Sequence, residues 1–219
     1  MIDRVLEPEV MDTPEDASDY DAMDHSAVNR VFAADFLRAW PARGGEVLDV
    51  ATGTAQIPIE VCRQATGFDV LAVDAAAEML KLAERNVAAA GLAGRLRLQL
   101  VNARRLPFAD GRFAAVVSNS LIHHVGEPME PLAEMARVCA AGGTLFVRDL
   151  LRPDSEAELS RLVDTYAAGA NAHQRQLFAE SLRAALTLAE VRELVARLGF
   201  DPEAVRQTTD RHWTWATAR

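Results

Sequence analysis

The chain has 219 residues, half of them hydrophobic and a quarter charged, enough for one well-cored domain with a small appendage. Its net charge of −9 is concentrated at one end: residues 1–24 hold nine acids against Arg4 alone, while the remainder, with 23 acids and 22 bases, is nearly neutral. With no basic stripe for phosphates, no run of about 18 apolar residues and no apolar leader core, neither nucleic acid nor a membrane is an expected partner, and the cytoplasm is the expected compartment.

In chain order, Val28, Phe32, Phe36 and Leu37 recur at helical spacing over 26–40, and Pro41 stops that helix. Glu46–Ala51 reads as a short buried strand, Ile57–Ala65 as a helix and Phe68–Asp74 as a second strand. A long helix runs from about Ala76 to Ala90 and closes at Gly91. Leu96–Val101 and Phe113–Ser118 are the third and fourth strands. Pro128 suits the first turn of a helix whose Leu132, Met135, Ala136 and Cys139 share a face; Gly142 and Gly143 end it and release a strand over Thr144–Asp149. Cys62 and Cys139 lie within these apolar patterns and read as small buried hydrophobes, not as a disulfide or a metal pair.

The alternation then breaks. Ser155–Glu158 has the spacing of a capping box before a helix with Leu159, Leu162, Val163 and Tyr166 on one face. A second helical segment covers about 172–185. Thr187–Glu190, a second capping box, opens the helix of Val191, Leu194, Val195 and Leu198, which Gly199 closes. Glu203–Arg219 reads as two strands forming an antiparallel hairpin. Strands separated by single helices make right-handed crossovers and a parallel sheet covered on both faces, a doubly wound α/β domain. Residues 153–186 form a helical cap inserted in it, with Tyr166 and Phe178 as cap core, and long insertions of this kind are usually functional. The organisation expected is an acidic segment over 1–25, then the α/β domain over 26–219.

In such sheets ligands bind beyond the carboxyl ends of the strands. This nominates Asp49–Ala55, Asp74, Asn102–Ala103, Ser118–His124 and Asp149. Small residues at 51, 53 and 55 let a ligand approach the backbone, and Gly53 can take positive φ. One glycine and an acid fit a pyrophosphate poorly: Asp49 would repel a phosphate but accept from an ammonium group. Asp74, at the end of the second strand, can accept from both hydroxyls of a ribose, in either a nicotinamide dinucleotide or a nucleoside.

Together, Val47–Ala55 (VLDVATGTA), Asp74 with Glu78-Met79-Leu80, Asn102-Ala103 before Leu106-Pro107-Phe108, and Val116–Ser120 followed by Leu121–Val125 resemble the class I S-adenosylmethionine-dependent methyltransferases, in the branch of ubiquinone and menaquinone biosynthesis enzymes. Ala51 and Ala55 stand where the family has glycines, Asn102 replaces its usual aspartate and Ala76 a frequent serine. The resemblance implies a seven-stranded sheet in the order 3-2-1-4-5-7-6, mostly parallel with one antiparallel strand. It implies S-adenosyl-L-methionine as cofactor, held by Asp49, Ala51, Gly53, Thr54, Asp74, Ala75, Met79, Asn102, Ala103, Ser118 and Asn119. An N-terminal lid carrying Tyr20, Met23, His25 and Asn29 would close over it.

A small-molecule methyl acceptor is the expected partner, with a second copy of the chain a further candidate. His123 and His25 are the candidate bases; His124, His173 and Arg183 are candidate acceptor contacts. No metal is expected, since no further Cys or His stands at ligand spacing from the His123-His124 pair. The alternatives left open are a nicotinamide-dependent oxidoreductase and a non-catalytic S-adenosylmethionine-binding protein.

Overall fold

Seven strands form one sheet in the order β3-β2-β1-β4-β5-β7-β6. They are β1 (Gly45–Val50), β2 (Phe68–Asp74), β3 (Leu96–Leu100), β4 (Phe113–Asn119), β5 (Cys139–Leu150), β6 (Val205–Gln207) and β7 (His212–Ala218). β1 runs parallel to β2 and β4, β2 parallel to β3, and β6 antiparallel to β7. The expected strand order and the antiparallel C-terminal hairpin are both present. The computed structural model describes residues 2–7, 13–21, 25–41 and 44–219, and in the helix over 14–21 the side chains of 15, 16, 19 and 20 lie outside the described set.

The helices are α1 (Pro14–Asp21), α2 (Ser26–Ala39), α3 (Gln56–Gln64), α4 (Ala77–Ala89), α5 (Met129–Val138), α6 (Glu156–Tyr166), α7 (Ala172–Ala184) and α8 (Leu188–Arg197). Among the described residues no helix is long and apolar enough to cross a membrane.

Two compact units divide the chain. The first comprises residues 10–119, 130–147 and 216–219. Its strands β1, β2 and β4 are buried nearly throughout, as continuous Val, Leu and Ala runs require when both sheet faces are covered. α2 buries Phe32, Ala33, Phe36 and Leu37, one stripe of a 3.6-residue repeat. Phe36 stacks on Trp40 at 5.6 Å, Trp40 meets the Phe68 edge at 5.2 Å, and Phe32 meets Phe146 at 5.2 Å. Each such ring, once buried, contributes about 1.5–3 kcal/mol. In-register pairing sets Val50 beside Val73 on one side and Ser118 on the other, which brings the carboxyl ends of β1, β2 and β4 level.

The second unit comprises residues 1–9, 120–129 and 148–215. Leu159, Leu162 and Val163 of α6 and Leu182 of α7 pack with Leu150 and Ala185 into its core, with Phe178 partly buried against them. Ser155 caps α6 by accepting from Glu158 N, and Thr187 with Glu190 forms the full capping box of α8. Asn171 and Gln174 form another at the start of α7, which the sequence reading did not single out. Trp213 and Trp215 are fully buried, and Phe200 meets Trp215 edge-on at 5.2 Å.

Two expectations are corrected. β5 begins at Cys139, so Cys139 leaves the helix and Gly142 and Gly143 lie inside a strand. The reason is long-range: Gly142 N donates to Arg219 O at 2.7 Å and Arg219 N to Gly143 O at 2.8 Å, and that ladder overrides the local stop signal. Tyr166 is not cap core. It is 44% exposed, its hydroxyl donates to Asp210 at 2.8 Å, and the Arg211 guanidinium lies 3.4 Å from its ring centroid.

Candidate active site

The turn after β1 is built on left-handed backbone. Ala51, Gly53 and Ala55 have φ of 61°, 56° and 62°. Only the glycine takes this freely; each alanine costs roughly 1–2 kcal/mol there. Hydrogen bonds hold the strained path: Thr52 N donates to Val73 O at 2.9 Å, Ala55 N to Thr52 O at 3.0 Å, and Gly53 N to Asp74 Oδ2 at 2.7 Å. The other Asp74 oxygen accepts from Ala76 N at 2.9 Å. Asp74 thus fixes the turn and the start of α4 together.

Beneath the turn, Asp49 is 3% exposed and its Oδ2 has no hydrogen-bond partner; neither do the buried hydroxyls of Thr52 and Thr54. Burial pushes the Asp49 carboxyl up to about 7, with the nearby Thr52 side chain opposing the rise and the Asp74 charge adding to it. Buried polar atoms left without partners on a strained, small-residue turn are the hallmark of a place that receives a polar ligand.

α1 is tied to this turn. Asn86 Nδ2 donates to Asp21 Oδ1 at 2.9 Å and to Thr54 O at 3.1 Å, and Gln56 Nε2 donates to Asp21 Oδ1 at 3.0 Å. Ala17, Ala76 and Met79 pack in one apolar cluster. Met23 lies outside the described residues, as does the Tyr20 side chain. Asn29 Nδ2 reaches Gln56 Oε1 at 3.5 Å, and His25 is the residue preceding α2.

The other residues at the strand ends divide by what their polar atoms do. Asn102 is exposed and its Oδ1 accepts from Arg104 N at 2.9 Å; Ala103 is half-buried and Ala75 exposed. Ser118 is buried and donates to Val50 O at 2.8 Å, stitching β4 to β1, and Asn119 beside it is half-buried. The loop after β3 is held by a pair the sequence reading missed: Glu134 accepts from Leu106 N at 2.7 Å, and Arg137 donates to Leu106 O at 2.9 Å and Phe108 O at 2.8 Å.

Every cofactor candidate belongs to the first unit, whereas His123, His124, His173 and Arg183 belong to the second. There, Ser120 turns the chain with φ 57°, and a single 3-10 turn, Ile122–His124, presents the two histidines. Asp149 is fully buried and gathers this turn: its Oδ2 accepts from Ile122 N at 2.5 Å, and its Oδ1 meets His123 Nδ1 at 2.5 Å and accepts from Leu150 N at 2.6 Å. Burial opposes charge on both groups, yet their mutual attraction raises His123 and lowers Asp149 from their ordinary values.

Glu7 completes the group. Its Oε1 lies 3.4 Å from His123 Nε2 and 3.0 Å from His124 Nδ1, and its Oε2 accepts from Ser181 Oγ at 3.0 Å. Arg4 pins the same segment, donating to Ala184 O at 2.7 Å and Val125 O at 3.0 Å. Neither Glu7 nor Arg4 carries a local motif, and only their position in the fold reveals them. His173 is exposed in the first turn of α7, and Arg183 pairs with Glu156 at 2.8 Å.

Residues 47–143 match the family described as a methyltransferase domain. The chain is related to the class I methyltransferases. It is 31% identical over 136 residues to the ubiquinone/menaquinone biosynthesis C-methyltransferase UbiE of Geotalea daltonii, covering 58% of each chain. It spans about half the length of several further relatives of that name. Its fold is that of a methyltransferase from Aquifex aeolicus described as dependent on S-adenosylmethionine (TM-score 0.66, 17% identity, 93% of this chain and 97% of that one). The plantazolicin methyltransferase BpumL, solved with a triazolic desmethylPZN analogue and S-adenosylhomocysteine, has the same fold (TM-score 0.68, 13% identity, 93% and 89% covered).

Proposed function

We propose that this chain transfers a methyl group from S-adenosylmethionine to a small-molecule acceptor, with the cofactor held at the turn 49–55. The observation that carries the reading is the buried polar group of Asp49, Thr52 and Thr54, with Asp49 Oδ2 left unsatisfied, under three left-handed residues. Relatedness to enzymes named for C-methylation, and a fold shared with a methyltransferase solved with S-adenosylhomocysteine, support it.

When bound, S-adenosylmethionine supplies a methyl group on a cationic sulfur for in-line attack. Asp49 offers a negative charge to a cationic ligand, and binding one favours its carboxylate form. Asp74 is the residue for the ribose hydroxyls, its carboxylate held at the end of β2 by the backbone amides of Gly53 and Ala76. Asn102 and Ala103 are the residues for the adenine edge. Ala51 and Gly53 let the ligand approach the backbone. Within this reading residues 1–25 act as the lid, supported by the ties from α1 to Asn86 and the turn. The helices of 153–186, with His123, His124, His173 and Arg183, serve the acceptor.

Thermal denaturation of the full chain tests this. S-adenosylhomocysteine should raise the melting temperature in proportion to the logarithm of its concentration, and NADH should not. Stabilisation by NADH alone would replace the reading with the oxidoreductase one.

A further inference from the structure

We propose that Glu7, His123 and His124 form a binding site for a divalent transition-metal ion of the zinc class. This assignment does not depend on the methyl-transfer reading, and it reverses the expectation from sequence spacing that the histidine pair lacks a third ligand.

Three donor atoms, Glu7 Oε1, His123 Nε2 and His124 Nδ1, all lie within 4.8 Å of one another. A tetrahedral zinc site with metal–ligand bonds of about 2.0–2.1 Å has ligand-to-ligand edges of about 3.4 Å. The two edges that meet at Glu7 measure 3.4 and 3.0 Å. The third edge, between the two histidines, is within 4.8 Å, and their ring centroids lie 4.1 Å apart with the planes at 34°, so a turn of the His124 ring completes the site.

The donors are also drawn together in a buried setting. Glu7 Oε1 and His124 Nδ1 are buried atoms that face each other at 3.0 Å. The Glu7 and His123 side chains are 9% and 4% exposed, and His124 is 21% exposed.

The surroundings orient each ligand. His123 Nδ1 meets the Asp149 carboxylate at 2.5 Å, which sets the proton on Nδ1 and leaves the Nε2 lone pair facing Glu7. A carboxylate behind a ligating imidazole is the arrangement that fixes ring orientation and raises ligand basicity. Ser181 Oγ holds the second Glu7 oxygen, leaving Oε1 for the ion. Two carboxylates, Glu7 and Asp149, face the cluster, with Arg4 as the nearby cation, so the local balance favours a dication.

Two imidazoles and one carboxylate select zinc, cobalt, nickel or iron(II) over magnesium or calcium, which take oxygen ligands, and over copper(I), which takes sulfur. Three protein ligands leave a fourth position for water or another small donor, the pattern of an exchangeable rather than a closed structural site.

The test uses the full chain, stripped with EDTA and titrated with zinc chloride against a chromophoric chelator. One zinc per chain is expected, and cobalt(II) should give the visible bands of a tetrahedral nitrogen–oxygen site without the thiolate charge-transfer band that Cys62 or Cys139 would produce. Glu7→Gln and His124→Ala should each weaken binding at least tenfold. Asp149→Asn should weaken it about 10–100-fold through His123. His173→Ala, on the exposed start of α7, should leave binding unchanged. Circular dichroism monitors folding, and the isosteric Glu7→Gln decides the matter where another variant fails to fold. No retained zinc, or equal affinity in wild type and Glu7→Gln, overturns the proposal.

Discussion

The turn after β1 and the histidine cluster after β4 solve different problems. The turn lies within one short segment whose small residues, acids and flanking strands are neighbours in sequence. The cluster assembles residues 7, 123–124, 149 and 181, four stretches far apart along the chain. In the first region polar atoms are left without partners on a rigid strand end. In the second a single buried aspartate organises two backbone amides and a ring nitrogen. The difference teaches that a ligand cradle can be read locally, while a charged buried network is visible only once distant segments meet.

The largest expected effect belongs to the cluster. Asp149→Ala removes three hydrogen-bond acceptances at a fully buried position and leaves His123 without its partner, which should cost about 3–5 kcal/mol in urea unfolding. A loss below about 1 kcal/mol would show that Asp149 does not organise the turn.

Asp49 should do the reverse. Unfolded, it titrates near 3.8; folded, near 7. Between those values the folded chain keeps a proton that the unfolded chain has released, so its contribution to stability is lost as pH rises through about 7. Asp49→Asn should therefore stabilise the ligand-free chain at pH 8 by on the order of 3 kcal/mol, while weakening S-adenosylmethionine binding. In wild type, affinity for S-adenosylmethionine should climb from pH 6 to 8 and then level off, with proton release in calorimetry near pH 7. A flat profile would take Asp49 out of ligand binding and narrow the contrast between the regions.

Asp74→Ala should weaken cofactor binding at least tenfold, about 1.4 kcal/mol. The smallest effect is Ala51→Gly, where relief of the left-handed strain is partly offset by the added freedom of glycine when unfolded, a net gain of less than about 1 kcal/mol by thermal denaturation.

The sheet was legible because its strands are continuous apolar runs separated by amphipathic helices, and because Asp49, Gly53 and Asp74 stand at strand ends. Where tertiary contacts override local signals, reading failed. Gly142 and Gly143 look like a helix stop, but pairing with Arg219 makes them strand. Tyr166 has core spacing, yet Asp210 and Arg211 hold it at the surface. Nothing in an alanine marks positive φ, and only the family's glycines at 51 and 55 pointed to that conformation. Glu7 was one acid among nine in an acidic segment, and its role depends on α7 and the 3-10 turn that receive it.

The central claim, that the turn under Asp74 holds the cofactor, is tested most directly by calorimetric titration of the full chain with S-adenosylhomocysteine, in wild type and in Asp74→Ala. One site per chain, weakened at least tenfold by the substitution, is the predicted result. No binding in the wild type, or equal binding in the two proteins, would contradict it.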